Sequence, residues 1–283
     1  MTGAISQTQK RGWVLLLRKH PYVLAGLVII FVCAGLALLA PLITPDPTVM
    51  NATATMQRPG AAHWFGTDSF GRDIFARVLF GIRTTILVAL AATALAALLG
   101  VTVGVAAGVF GGWTEALLMR FMDVIFAFPS ILAALAIAAV TGGGLASAII
   151  TIGIVYTPQF ARIARAGILE TRGLAYVEAA VAIGNTNWQI TRRHLLPNIL
   201  SPLLVQTSLS MSLAVLLESA LSFLGLGVQP PEPSLGRMLS EATSYMLLSP
   251  WAAIFPGAAI SLLVMGFNFL GDGLRDWFDP RLR

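Results

Sequence analysis

Charged residues are scarce in this 283-residue chain: Asp, Glu, Lys and Arg make up 11% of it, whereas 57% of the residues are hydrophobic. A soluble domain carries roughly 25% charged residues. The composition, with a mean hydropathy of +0.81, therefore indicates a membrane protein. The chain has 18 basic and 13 acidic residues. This excess of basic residues is better explained by cytoplasmic loops than by binding to nucleic acid.

Several kinds of active site are also missing. The single cysteine, Cys33, excludes an intrachain disulfide and a cysteine-based metal site. The two lysines, Lys10 and Lys19, do not follow glycine, so the chain has no Gly-Lys-Ser/Thr phosphate-binding loop. The three histidines lie outside the long apolar segments, and neither Gly-x-Ser-x-Gly nor His-Glu-x-x-His occurs. We therefore expect no catalysis, no metal and no cofactor in this polypeptide.

Six apolar segments are predicted to cross the membrane, which makes the expected fold an all-α polytopic bundle of six transmembrane helices. The first is too long for the core of a signal peptide and is followed by more such segments, so we expect it to be retained. Pro129 is expected to kink the third segment. The six are residues 22–43, 83–109, 120–140, 146–160, 201–224 and 251–270.

The second segment has a smooth face, because glycine recurs every four residues at Gly100, Gly104 and Gly108. Small residues at this spacing let a neighbouring helix approach closely in lipid. We therefore expect close helix packing along this face rather than a ligand site.

The basic residues predict the orientation. Six spans place both termini on one side; thirteen Lys and Arg fall on that side and five on the other, so the richer side should be the cytoplasm. The predicted organisation is a basic cytoplasmic tail over residues 1–20 and a transmembrane domain over 21–283. Within that domain we expect outer loops at about 44–80 and 225–250, and a cytoplasmic loop at about 162–200.

The long polar interval between the fourth and fifth apolar segments contains residues 178–197, EAAVAIGNTNWQITRRHLLP. Gly184 is predicted to end a short helix over residues 176–183, since glycine commonly follows the last residue of a helix. Thr186 and Gln189 fit a capping box, in which the two side chains and backbone N–H groups bond reciprocally. A second short helix should therefore start here.

Pro197 is expected to end that second helix, because proline lacks an N–H and disfavours the helical conformation at Leu196.

The interval resembles the EAA loop of bacterial ABC importer permeases: Glu-Ala-Ala, three residues, Gly, nine residues, Ile, one residue, Leu-Pro. His194 departs from the Ile of that pattern, but the ending of the peptide and nickel branch, Arg-His-x-Leu-Pro-Asn, is matched. The alternative is an amphipathic surface loop with a chance Leu-Pro ending. The matching residues are Glu178, Ala179, Ala180, Gly184, Leu196 and Pro197.

A second motif, residues 63–73, reads HWFGTDSFGRD. It resembles the His-x-x-Gly-Thr-Asp-x-x-Gly-Arg-Asp signature of the C-type permeases of peptide and nickel importers. Its acidic and basic side chains can pair in a turn-rich loop outside the bilayer, either as a structural turn network or with a direct role in gating. The signature residues are Gly66, Thr67, Asp68, Gly71, Arg72 and Asp73.

The resemblance covers nearly the whole chain and implies a type I ABC importer permease in a bacterial inner membrane. Such a subunit would pair with a homologous permease, with two ATPase subunits that bind ATP-Mg, and with an extracytoplasmic binding protein, in contact with membrane lipid. Glu178 is the residue expected to dock on the ATPase, with Ala179 and Ala180 allowing close approach. The predicted cargo is a short peptide, with nickel or another chelated metal as the alternative.

Glu218 is the clearest ionisable residue within a span, where a charge costs about 3 kcal/mol unless it faces a cavity or a partner. Two interpretations stay open: a pore-lining residue, or a hydrogen-bonding residue between helices.

A secondary transporter would need charged relay residues at the bilayer midplane and internal repeats, and an intramembrane enzyme would need paired polar catalytic groups at depth. Neither pattern is clear in the sequence.

Overall fold

The computed structural model describes residues 21–278; the predicted basic tail over residues 1–20 lies outside this range. The described residues form helices and contain no β-strand, apart from one isolated bridge between Thr67 and Asp73. The α-helices are α1 (Pro21–Ile43), α2 (Ile74–Phe110), α3 (Gly112–Phe126), α4 (Ser130–Thr141), α5 (Leu145–Arg172), α6 (Ala175–Ala182), α7 (Asn187–Ile190), α8 (Leu196–Phe223), α9 (Leu235–Ala242) and α10 (Trp251–Phe278). Short 3-10 turns occur at Ala52–Ala54 and Thr243–Tyr245.

Within residues 21–278, four helical segments are long and apolar enough to span a membrane: α1, α2, the continuous stretch Asn187–Phe223, and α10. The pair α3 and α4 would make a fifth if it forms one broken span. Helix α5, which contains the predicted span 146–160, is 28 residues long but is not among the segments that are apolar enough. The all-α membrane fold is confirmed, and the count of six spans stays a prediction.

The expected kink at Pro129 is a break. Helices α3 and α4 meet at an angle of 91°. Pro129 precedes α4, with φ −52° and ψ 130°. It lacks a backbone N–H and disfavours the helical conformation at Phe128, so α3 does not continue through it. The predicted third span is therefore two helices with different directions.

Two helices extend beyond their predicted ends. Helix α2 begins at Ile74 rather than near residue 83, because the Asp73 carboxylate caps it by accepting a hydrogen bond of 2.8 Å from the backbone N–H of Ala76. Helix α10 continues to Phe278, whereas the sixth span was predicted to end at residue 270.

Pro197 does not end the helix. The chain is helical from Asn187 to Phe223, with a π-helical turn over Thr191–Leu195 just before the proline. In this turn the N–H of Leu196 bonds to the carbonyl of Thr191, five residues back. Pro197 then falls in the first turn of α8, where a missing N–H is tolerated. The π turn therefore lets the helix pass through the proline.

The glycine face of α2 packs on α5, as predicted. A Cβ atom at Gly104 would lie 2.3 Å from the carbonyl oxygen of Ala161, and one at Gly100 would lie 2.4 Å from that of Thr157. Only glycine permits this approach, and α2 and α5 form the most extensive helix pair of the described chain. Helices α8 and α10 pack beside them, and α1 packs on α10.

Helix α2 is 37 residues long, about 55 Å at 1.5 Å per residue, so it separates two polar regions. We call them the signature end, at Asp73, and the EAA end, where α2 stops at Phe110 next to α5 and α6.

Candidate functional site

At the EAA end, helix α6 lies on the surface of the bundle. Val177 and Ala180 are buried against the chain, whereas Glu178 in the first turn and Ala179 are exposed. Gly184 has φ +87°, a left-handed conformation that stops the helix as predicted. Ala180 therefore serves the packing of this chain, and the free surface is formed by Glu178, Ala179 and their neighbours.

Large apolar side chains are also exposed on α6 and next to it. Tyr176, Val181 and Ile183 are all exposed, as is Trp188 at the start of α7. The capping box that orients α7 is present: the Thr186 backbone N–H donates to Gln189 Oε1 at 2.9 Å, and the Gln189 N–H donates to Thr186 Oγ1 at 3.3 Å. An acidic group within an exposed apolar surface is suited to contact with another protein.

His194 joins α6 to the start of α8. Its ring lies 5.9 Å from the ring of Tyr176, and the Asn198 amide donates to the Tyr176 hydroxyl at 2.9 Å and to the His194 carbonyl at 2.5 Å. Leu196 is half-buried and Pro197 is exposed. The end of the EAA motif therefore fixes the position of α6 relative to α8.

Arg172, at the end of α5, makes a contact that the sequence did not predict. Its Nη1 donates to the carbonyls of Gly108 and Val109 at 2.8 and 2.9 Å. These carbonyls belong to the last turn of α2, where a cation is favourable. Arg172 and Glu178 both line a cavity of about 210 Å³ beneath α6. Arg172 therefore connects the end of α5, just before α6, to the last turn of α2.

At the signature end, the carboxylate of Asp68 is buried and accepts four hydrogen bonds. Its Oδ1 accepts from the backbone N–H groups of Phe70 and Arg72, both at 2.9 Å. Its Oδ2 accepts from Arg72 Nε at 2.7 Å and from Arg77 Nη1. Asp68 is 3% exposed and Arg77 is 4% exposed, so these charges are removed from water together.

Glu241 on α9 completes this group. Its Oε2 accepts from Arg72 Nη2 at 2.8 Å and from Arg77 Nη1 at 3.2 Å. We call Asp68, Arg72, Arg77 and Glu241 the outer ion cluster. It connects the signature loop and the first turn of α2 to helix α9. Glu241 on α9 lies more than 160 residues after Arg72 and Arg77 in the chain.

The remaining signature residues shape the loop. His63 Nδ1 lies 2.7 Å from Asp73 Oδ2, and the Thr67 hydroxyl donates to the carbonyl of Ala54. Gly66 and Gly71 have φ +78° and +73°, and a Cβ at Gly71 would lie 1.9 Å from the carbonyl oxygen of Asn51. This is the geometry of a network of turns held together by Asp–Arg ion pairs.

Glu218 on α8 is fully buried in this conformation. Thr85 on α2 donates to its Oε2 at 2.9 Å, and Ser222 and Ser234 donate to its Oε1 at 2.8 and 3.2 Å. The pore-lining interpretation does not describe this conformation, because the carboxyl has no exposed surface. Its contacts are those of a hydrogen-bonding residue that joins α2, α8 and the residue preceding α9.

A polar contact between α5 and α8 was also missed. Gln206 on α8 donates from Nε2 to Gln159 Oε1 on α5 at 2.9 Å and to Ser210 Oγ at 3.0 Å. The signal was one glutamine at the end of the predicted fourth span and another within the predicted fifth span. Across residues 21–278, no group of three or more His, Cys, Asp and Glu side chains could hold a metal ion.

Comparison with known proteins decides the family. Residues 100–283 match the model of a protein family, which is described as the binding-protein-dependent transport system inner membrane component. The chain belongs to this family. It is therefore the multi-pass membrane subunit of a transport system, and the EAA segment and Glu218 lie within the matched range.

Several relatives of this family are similar over almost the whole chain. The chain is 43% identical to the dipeptide transport system permease protein DppC of Alkalihalophilus pseudofirmus, covering 94% of this chain and 88% of that protein. It is 41% identical to the glutathione transport system permease protein GsiD of Pectobacterium atrosepticum, with 96% and 90% coverage. It is also 41% identical to the probable D,D-dipeptide transport system permease protein DdpC of Escherichia coli, with 95% and 90% coverage.

A solved structure of the inward-facing MetNI methionine ABC transporter has the same fold. The TM-score is 0.60 at 19% sequence identity, and the match covers 72% of this chain and 97% of the compared chain. The expected fold class, that of a type I ABC importer permease, is thereby confirmed.

Proposed function

We propose that this chain is the C-type permease subunit of an ABC importer that carries short peptides across the bacterial inner membrane. The observation that carries the proposal is the 41–43% identity, over nearly the whole chain, to permeases named for dipeptide, glutathione and D,D-dipeptide transport. These cargoes differ in side chains and share a peptide backbone. We propose that this chain takes short peptides with little side-chain preference, and that selectivity lies mainly in the binding protein.

The nickel alternative is less well supported. A bare metal ion passing along this chain would need His, Cys, Asp or Glu ligands, and residues 21–278 hold no suitable group of three. The three relatives compared above are named for peptide cargo. Nickel therefore serves as the competing outcome of the uptake experiment.

The EAA end is proposed to be cytoplasmic and to dock on an ATPase subunit, with both termini on the same side. Glu178 is proposed as the docking residue, because it is exposed at the first turn of a short helix whose segment also exposes several apolar side chains. Ala179 would allow close approach, while Ala180 packs against this chain. ATP-Mg would be bound and hydrolysed by the ATPases, so this chain is not an enzyme.

Transport would follow alternating access. Closure of the ATPases would move α6, and Arg172 would carry that displacement to the last turn of α2, whose carbonyls it binds. At the far end of α2, the outer ion cluster would make α9 and the signature loop move as one unit. A homologous permease would form the other half of the passage, and an extracytoplasmic binding protein would deliver the peptide at the signature end.

The proposal is tested by uptake in cells that lack only this gene. Loss of dipeptide and oligopeptide uptake, with unchanged nickel accumulation and restoration by the intact gene, is the expected result. Loss of nickel accumulation alone would contradict it. Purification of the tagged chain should also recover the ATPase subunits, and a chain recovered without any ATPase would contradict the assignment to an ABC importer.

A further inference from the structure

Two amide side chains face each other within the helix bundle. Gln159 lies near the middle of α5, and Gln206 lies ten residues into α8, about 15 Å from its start. Gln206 Nε2 donates to Gln159 Oε1 at 2.9 Å and to Ser210 Oγ at 3.0 Å. Both glutamines are half-buried, so each retains surface that this chain does not cover.

The pair leaves one donor group and one acceptor group unused. Within residues 21–278, the Nε2 of Gln159 and the Oε1 of Gln206 have no hydrogen-bond partner. An amide that faces hydrocarbon without a partner costs several kcal/mol. The exposed face of the pair is therefore expected to border water or a polar ligand rather than lipid.

A groove lies beside Gln206, between the first half of α8 and the end of α10. It has a volume of about 440 Å³, within the range of small-molecule sites. Gln206 lines it, and so does Ile163, one helical turn from Gln159. Asp272 and Arg275, both exposed and without an ion pair among the described residues, also line it. The groove thus offers amides and charges of both signs.

We propose that Gln159 and Gln206 form a binding site for the peptide group of the cargo, and this inference rests on the proposed function. Gln206 Oε1 accepts from the N–H of the peptide bond, and the Gln159 Nε2–H donates to a carbonyl or carboxylate oxygen of the cargo backbone. The two glutamines thereby offer the cargo one acceptor and one donor. Recognition of this kind requires no particular side chain, which suits cargo of varied sequence.

The alternative is that the two glutamines only hold α5 and α8 together. A helix-packing role concerns this chain alone and is independent of the cargo's chemistry. A binding role depends on the N–H of the peptide bond. A cargo in which an ester replaces the amide separates the two roles, because it keeps the carbonyl and loses the N–H.

The experiment uses the complete transporter in proteoliposomes, with its partner permease, ATPases and binding protein. ATP-driven initial uptake is measured for alanyl-alanine and for its ester analogue. The same binding protein is present throughout, so its own preference cancels when variants are compared. We expect Gln206→Leu, at equal abundance, to lower the amide-to-ester uptake ratio about fivefold, as expected for one lost hydrogen bond.

Two further variants keep the result interpretable. Gln206→Met retains the length and flexibility of the side chain and should lower the ratio similarly, even if Gln206→Leu fails to assemble. Thr102→Val is the matched control, because it also removes a polar group from a long helix. The Thr102 hydroxyl is exposed and donates only to Leu98 of its own helix. It should leave the ratio unchanged.

The outcomes separate this site from the function on which it rests. If both Gln206 variants import the two cargoes at the wild-type ratio, or lose both equally, the site is wrong and the peptide importer stands. If the wild-type transporter imports no dipeptide, the proposed function fails, and the peptide site fails with it.

Discussion

The two ends of α2 carry polar groups of opposite character. At the signature end, the charges of the outer ion cluster are largely buried and paired with one another. At the EAA end, Glu178 is exposed with exposed apolar neighbours and has no ion pair among the described residues. A buried, paired cluster fixes the relative position of the elements it joins, whereas an exposed acid remains available to a partner. The difference supports a rigid brace at the signature end and the proposed docking surface at the EAA end.

The largest expected contrast is in labelling from outside the cell. In a Cys33→Ser background, Leu247→Cys should react with an impermeant thiol reagent and Asn187→Cys should not. Leu247 is fully exposed at the signature end, and Asn187 is exposed at the EAA end. Both cysteines should react after permeabilisation. The reverse pattern in intact cells would overturn the proposed orientation and exchange the roles of the two ends.

Removal of the central carboxylate should break the brace. Asp68→Ala removes the more buried of the two carboxylates that Arg72 and Arg77 share, and leaves them only Glu241. The loss of one member of a buried ion pair costs about 3–5 kcal/mol. We expect a large fall in abundance and in the thermal midpoint of the detergent-solubilised protein. Asp46→Ala is the control, because Asp46 is exposed and bonds only to Thr48 nearby. Equal thermal midpoints for the two variants would show that the cluster is not a brace.

Charge reversal at the proposed docking surface should lower uptake and leave stability unchanged, whereas Asp68→Ala should lower stability. Glu178→Lys is expected to reduce peptide uptake more than tenfold, which is over about 1.4 kcal/mol, while abundance and thermal midpoint stay near wild type. The reason is that Glu178 makes no ion pair within the described chain. Uptake, abundance and co-purification of the ATPase are the measurements.

The matched control for that variant is Glu170→Lys, since Glu170 is also exposed near the EAA end but lies on α5. It should transport normally. Normal transport by Glu178→Lys at normal abundance would remove Glu178 from the docking role.

Substitution of Arg172, which joins α5 to the last turn of α2, should have the smallest effect on uptake. Arg172→Gln shortens the side chain and removes the charge that binds the Gly108 and Val109 carbonyls, but it leaves the packing of α2 on α5 intact. We expect uptake to fall about threefold, the equivalent of roughly 0.7 kcal/mol, with ATP hydrolysis better retained than uptake. Arg120→Gln, at an exposed arginine on α3, is the control. Unchanged uptake by Arg172→Gln would show that α6 acts on the bundle by another route.

The sequence by itself predicted features that depend on residues a few positions apart. The Thr186–Gln189 capping box, the left-handed Gly184 and the Asp–Arg pairing of the signature loop are of this kind, because each is decided by local backbone geometry. The glycine face of α2 was equally predictable, because a period of four residues defines one side of a helix.

Only the tertiary structure decided which distant side chains meet. Glu241 joins the outer ion cluster from 169 residues beyond Arg72, and Gln159 meets Gln206 across 47 residues. The 91° break at Pro129 and the helical path through Pro197 were also beyond local rules, which indicate that a proline disturbs a helix but not how the chain accommodates it. Such contacts depend on the rotation and depth at which helices pack, and these are determined by all the neighbouring side chains together.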